Sequence, residues 1–444
     1  MKSFYRSIYF SIRIYYAIAA ELLLLIVSFL FPPVYWIAQL GLVILIALLV
    51  SDILILYRNA SGFFAKRNTL DKLSNGDNNN IHLFLQNNYL FTGTITVIDE
   101  LPFQFQARDL EFKLKMKPGE KKTLTYEVRP LKRGEYWFGA VHVYISSPIG
   151  LLQKRYSFSN DMNVPVYPSF IQMRKYELLA ISNQLTTSGI KKIRKIGSNA
   201  EFEQVKEYVQ GDEYRKINWR ATARKNKLMV NQYQDEKSQA VYSVIDMGRV
   251  MRAPFEGMSL LDYSINASLV ISNIALLKQD RAGIITFSHK VQSVLQAERR
   301  NGQLHKILEL LYNQKTGYLE SDFERLYINI KRKVNHRSLL LLYSNFESMS
   351  SMERQLKYLR KLAKEHLLVV IFFENTELTD FIHKPVQTTE DLYNKVTAEK
   401  FAYEKKLIVK ELEKHGIHSI LTDPKKLSVN TINKYMELKA RGLI

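Results

Sequence analysis

Two polar residues lie where an α/β protein could do chemistry. Asp246 closes the apolar run 241–246, and Asn345 follows the apolar run 338–344. In open parallel sheets, ligands bind in the crevice beyond the carboxyl ends of the strands. A carboxylate and an amide there are oxygen donors. The set is thin, because only Asp246 is a certain carboxylate and Met247-Gly248-Arg249-Val250 follows it. The Arg249 guanidinium suits a direct pair with Asp246 and would repel another cation. The sequence therefore predicts no cofactor at Asp246 and Asn345.

Other catalytic signals are missing. The chain has no cysteine, which removes thiol nucleophiles, disulfides and thiolate metal sites. It has no Gly-x4-Gly-Lys-Ser/Thr loop, so it is not itself a P-loop ATPase, and no His-Glu-x-x-His. His415 and His418 flank Gly416-Ile417 at a predicted helix-to-strand turn and read as surface residues. No catalytic residue is assigned, and the chain is expected not to be an enzyme.

The densest polar pattern is residues 201–236. Glu203, Glu207, Asp212 and Glu213 come first, then Arg215, Lys216, Arg220, Arg224, Lys225 and Lys227. Acids before bases match the polarity of a helix dipole. Asp212 is the expected N-cap of a helix over 213–224. That helix would place Ile217, Arg220 and Arg224 on one face and Trp219 on another, as a buried anchor. Residues 228–233 alternate like a half-buried strand.

This stretch resembles the signature of the domain of unknown function 58 family. The matching residues are Phe202, Glu207-Tyr208, Gly211-Asp212, Arg215, Ile217, Trp219 and Ala223-Arg224. Earlier in the chain, Arg133-Gly134, Ser147-Pro148-Ile149-Gly150-Leu151 and Val166-Tyr167-Pro168 are similar to further family features, with Ser147 where Asp is usual. The resemblance implies a bacterial membrane-tethered protein with a von Willebrand factor A-like domain and a MoxR-type AAA+ ATPase as partner. In such domains the first strand ends in Asp-x-Ser-x-Ser, and a later threonine and aspartate complete a magnesium site. Here Gly248 and Val250 replace the serines and Asn345 the aspartate, and the threonine has no clear counterpart, so the resemblance implies at most weak magnesium binding at Asp246 and Asn345, because magnesium takes near-octahedral oxygen sets.

The elements that would position these residues follow in order. Residues 1–58 read as a transmembrane hairpin, with apolar runs 14–31 and 34–57 around Pro32-Pro33. Lys2, Arg6 and Arg13 precede it and Arg58, Lys66, Arg67 and Lys72 follow it, while the turn has none. The positive-inside rule then places both termini in the cytoplasm of a multi-pass inner-membrane protein. Glu21 is expected to be a protonated carboxyl bonded within the helix pair, and Asp52 to reach water. Residues 59–80 read as a connector and 81–168 as an all-β sandwich of seven strands, among them 103–105 and 136–145. A basic connector, 169–200, carries Lys191, Lys192, Arg194 and Lys195. From 237 to 444, strands alternate with helices as in a doubly wound, Rossmann-like α/β sheet.

The 444 residues carry a net charge of +20. Such charge suits an anionic leaflet or nucleic acid, and the hairpin favours the leaflet. The expected function is a non-enzymatic membrane scaffold whose interface includes Glu207, Tyr208, Gly211, Asp212, Arg215, Trp219, Arg220 and Arg224. Its partners would be the lipid bilayer, the ATPase and other envelope proteins, in envelope-protein assembly or stress tolerance, with no nucleic acid. The alternatives are a metal-dependent enzyme at the Asp246 rim and a basic nucleic-acid-binding module.

Overall fold

A computed structural model describes residues 6–443, apart from 60, 107–109, 160–161, 182–199, 211, 213, 215–216, 236–237, 376–377, 379–380, 383–384 and 386–387. The side chains of 181, 200–204 and 232–235 are also outside the description. The chain divides into two compact units, Met1–Tyr167 and Pro168–Ile444.

The first unit opens with a short strand, β1 (Ile8–Phe10), and two apolar helices, α1 (Ile12–Leu30) and α2 (Tyr35–Tyr57), joined by a 3-10 turn at Pro32–Val34. Ser11 caps α1 by accepting from the Arg13 N–H. Mean hydropathy reaches 1.9 over Ile12–Leu30 and 2.7 over Pro32–Tyr57, with 11% of each window buried. Helices this long and apolar that keep their surface open suggest a membrane anchor. A third apolar helix, Leu260–Leu277, also has sufficient length, but 83% of it is buried inside the second unit.

Ten strands follow: β2 (Phe63–Asn68), β3 (Leu73–Ser74), β4 (Asn79–Asn87), β5 (Gly93–Asp99), β6 (Glu111–Met116), β7 (Lys121–Val128), β8 (Gly134–Phe138), β9 (Val141–Ser146), β10 (Leu152–Phe158) and β11 (Met162–Tyr167). They form sheets in the orders β1-β10-β9-β5-β6, β2-β4-β7 and β3-β11-β8 around one core. Alternation drives the packing: Ile81, Leu83 and Leu85 of β4 point inward, as do Ile95 and Val97 of β5. Three expectations change here. Residues 59–80 carry β2, β3 and the start of β4 rather than a connector. Residues 103–105 form a 3-10 turn, and 136–145 is broken at Gly139-Ala140 into β8 and β9. Ser147 does serve the turn in which it replaces Asp, because its Oγ accepts from the N–H groups of Ile149 (3.0 Å) and Gly150 (3.1 Å).

The hairpin is bonded to the sheet beside it. β1 adds to the edge of β10, with Ile8 opposite Lys154. Asp52 of α2 is fully buried, and its Oδ2 accepts from the N–H groups of Leu151 (3.0 Å) and Leu152 (2.8 Å). It does not reach water as expected, because the chain after Ser147 folds over it. Lys154 Nζ donates to Leu56 O in the last turn of α2 at 3.1 Å and to Asn59 O just beyond it at 3.3 Å, a helix C-terminus where the dipole favours a cation. Tyr89 Oη donates to Leu56 O at 2.8 Å. Glu21 faces Gly41 on the other helix so closely that a Cβ there would lie 2.7 Å from its Oε2. Its Oε1 is buried without the hydrogen bond expected for it.

The second unit contains α3 (Phe170–Ile181), within the stretch read as a basic connector. The cations 191–195 of that stretch lie outside the described residues. Next come β12 (Ala200–Glu207), α4 (Trp219–Lys225) and β13 (Met229–Asp235), then β14 (Ala240–Asp246), β15 (Pro254–Phe255), β16 (Met258–Ser259) and α5 (Leu260–Leu277). The rest is β17 (Arg281–Phe287), β18 (Val291–Glu298), α6 (Gln303–Tyr312), α7 (Phe323–Lys333), β19 (Leu339–Tyr343), α8 (Met349–Glu365), β20 (Leu367–Phe373), α9 (Thr389–Lys414), β21 (His418–Thr422) and α10 (Leu427–Ala440). Six strands form one sheet in the order β18-β17-β14-β19-β20-β21, all parallel except β18. Both faces are covered, so the strands are continuously apolar. Leu339, Leu341 and Tyr343 of β19 pack with α5, α6 and α10, while Leu340 and Leu342 pack with α7, α8 and α9.

Candidate functional site at the sheet switch point

After β14 the chain builds outward to β17 and β18, then returns to the other side of β14 with β19, β20 and β21. The carboxyl ends of β14 and β19 therefore flank the point where the strand order reverses, the place such sheets leave open for ligands. Asp246 ends β14 and has no exposed surface. Its Oδ1 accepts from the N–H of Gly248 at 2.8 Å and from the Ser321 hydroxyl, and its Oδ2 from Ser344 Oγ at 2.6 Å. Burial pushes its pKa up, and these donors pull it back in part.

Three expectations for this site are corrected. Arg249 does not pair with Asp246, whose carboxylate is already held by neutral donors. The hydroxyls missing from Gly248 and Val250 are supplied from elsewhere in the chain, by Ser321 before α7 and Ser344 after β19. Gly248 makes room for this: a Cβ there would lie 2.0 Å from Ser321 Oγ. Asn345 is directed to Lys405 of α9, whose Nζ donates to its Oδ1 at 2.8 Å and also to Phe346 O.

This donor set does not fit magnesium. Both serine protons point at the one carboxylate, and an ammonium stands at the second predicted ligand. Among the described residues, no cluster of three or more His, Asp or Glu is placed to hold a metal ion.

A cleft of about 1560 Å³ opens at the same sheet edge. Arg249, Arg252 and Phe255 after β14, Phe373 at the end of β20, and Tyr403 and Lys405 of α9 line it. Burial pushes the Lys405 ammonium down to about 8, with Glu347 acting in the opposite direction.

The stretch 201–236 folds differently from its expected helix. Its acid-rich start is strand β12, paired antiparallel to β13 with Glu207 opposite Met229. The helix is shorter, Trp219–Lys225, and Asn218 rather than Asp212 caps it, accepting from the Ala221 N–H at 3.0 Å. Asp212 instead closes a turn, accepting from the Val209 N–H (3.0 Å) and Lys206 Nζ (2.8 Å), which hold its carboxyl below the usual range. Asn218 and Thr222 tie the helix to β13: Asn218 Nδ2 donates to Asn231 Oδ1 at 2.8 Å, and Thr222 Oγ1 accepts from the Met229 N–H at 3.0 Å. Glu207 pairs with Lys227 at 2.7 Å, and the Tyr208 N–H donates to Leu228 O at 2.8 Å. Trp219 is 70% exposed, so it is not a buried anchor. Arg220 and Arg224 are exposed beside it. Gly211 and Arg215 lie outside the described residues.

Ser344 adjoins the predicted Asn345 and was within reach of sequence reading. Ser321 and Lys405 were not, because only the fold brings residues so distant in sequence to β14 and β19.

These features define an α/β protein with an apolar N-terminal hairpin and a sealed switch-point carboxylate. Residues 204–379 match the family described as Protein of unknown function DUF58. Over 124 residues the chain is 28% identical to Uncharacterized protein YeaD of Bacillus subtilis (strain 168), covering 28% of this chain. The match spans 31% of that relative's length. Among solved structures, the conserved hypothetical protein BatB from Bacteroides thetaiotaomicron aligns with 46% of this chain and 98% of its own, at 11% identity and a TM-score of 0.31. A CARDB domain from Pyrococcus furiosus aligns with 24% of this chain and 93% of its own, at 12% identity and a TM-score of 0.18.

Proposed function

We propose that this chain is a non-enzymatic, membrane-anchored scaffold. Its second unit is a von Willebrand A-like module that binds protein through the switch-point rim and the exposed face of α4. The observation that carries this reading is the state of Asp246. The carboxylate at the ligand-binding edge is buried and occupied by three protein donors, which leaves it free for neither proton transfer nor metal binding. The hairpin spans the bacterial inner membrane twice, with both termini cytoplasmic. Two features support a shared side: the charge bias of the flanks, and β1 before the hairpin pairing with β10 after it. The partner is a MoxR-type AAA+ ATPase, with a role in envelope-protein assembly or stress tolerance.

Crosslinking in native membranes, followed by detergent extraction and mass spectrometry, tests the partnership. The expected result is recovery of the ATPase with the intact chain and its loss with Arg220→Glu/Arg224→Glu. Recovery undiminished by that double variant sinks the α4 interface, and no ATPase with either chain sinks the partnership.

A further inference from the structure

The cleft beside the switch point has a cation built into it. Lys405 reaches it from α9 and is held by Asn345 Oδ1 and Phe346 O. An ammonium has three donors. Two are used, and the third has no hydrogen-bond partner among the described residues. The Phe372 ring lies 5.8 Å from Nζ, so one side of the ammonium rests against an aromatic face. Five basic and three acidic side chains line the cleft, which leaves it net positive around a mostly apolar wall. Its volume, about 1560 Å³, exceeds the ~300–1,000 Å³ usual for small-molecule pockets and suits a length of polypeptide.

We propose that Lys405 receives a carboxylate from an acidic, apolar-flanked segment of a protein partner, so that this rim binds an acid with a tethered ammonium and no metal ion. The two oxygens that hold Lys405 fix its position before the ligand arrives, which lowers the ordering cost of binding. A carboxylate entering the cleft meets the free donor of Lys405. The proposal rests on reading the rim as a binding surface, but it can fail while partner capture succeeds.

The test uses the full chain in detergent micelles. Trace acetylation at one fixed pH, read lysine by lysine by mass spectrometry, gives the accessibility of the Lys405 amine. Three probes are compared at tens of millimolar: N-acetylglutamate methylamide, its neutral glutamine counterpart and inorganic phosphate. The expected result is several-fold less labelling of Lys405 with the glutamate probe alone. The exposed Lys113 should report no change under any probe. An equal response to glutamate and glutamine, a response to phosphate only, or no response at Lys405 overturns the proposal. The readout is on the native chain, so no variant has to fold.

Discussion

Asp52→Leu removes the one acceptor that two buried N–H groups share. Leu151 and Leu152 donate to Asp52 Oδ2 at 3.0 and 2.8 Å, and all three residues are buried. Each orphaned donor costs ~1–3 kcal/mol, so the gross loss is ~2–6 kcal/mol. Part of this is returned, because Asp52 Oδ1 is itself buried without a partner and leaves with the side chain. A net loss of ~2–4 kcal/mol follows. Asp52→Asn keeps an oxygen for both donors but gives up charge assistance, at about 1 kcal/mol. Hydrogen exchange on the whole protein in nanodiscs reads this locally. In Asp52→Leu the amides of Leu151 and Leu152 should exchange at least ~30-fold faster, the equivalent of 2 kcal/mol. Asp52→Asn should show a smaller change, and amides of the β4–β7 pair should be unaffected. Unchanged exchange in Asp52→Leu, or equal effects of the two substitutions, would refute the argument that Asp52 holds the hairpin to the sheet.

Three further outcomes are expected. Gly248→Ala places a Cβ 2.0 Å from Ser321 Oγ and should lower stability by ~1–3 kcal/mol in thermal denaturation, with Ser321→Ala restoring part of the loss in the double variant. Trp219→Ala should change stability by no more than ~0.5 kcal/mol, because the side chain is exposed, yet reduce partner crosslinking; a large fall in melting temperature would return Trp219 to the core. Asp246 has a raised folded pKa, so its contribution is present below the unfolded value and is lost as pH rises through the folded one. Asp246→Asn should therefore flatten the fall in stability over that rise, and magnesium should not raise the melting temperature of the native chain.

Much of this architecture is legible from periodicity. The hairpin shows as two apolar runs around Pro32-Pro33, and the central strands as unbroken apolar segments such as 338–344, because burial on both faces leaves no alternation. Failures cluster where local signals compete. Acid-before-base order in 201–236 suggests a helix over 213–224 capped by Asp212, but Asp212 closes a turn with Val209 and Lys206, and the helix starts at Trp219 with Asn218 as its cap. Trp219 read as an anchor from its size alone, although nothing local told which way it faced. The hydroxyls on Asp246 come from Ser321 and Ser344, and their convergence depends on chain crossings that no short window contains.

The pairing of β1 with β10 also constrains how the protein is made. Residues 8–10 leave the ribosome well before their partners at 152–154, which follow both apolar helices and the strands β2 to β9. The edge of β10 therefore waits for a strand tethered to the apolar hairpin, and it is closed only once the hairpin has folded back on itself. Until β1 is in place, β10 is an open strand edge, the feature by which pairing with other chains and aggregation begin.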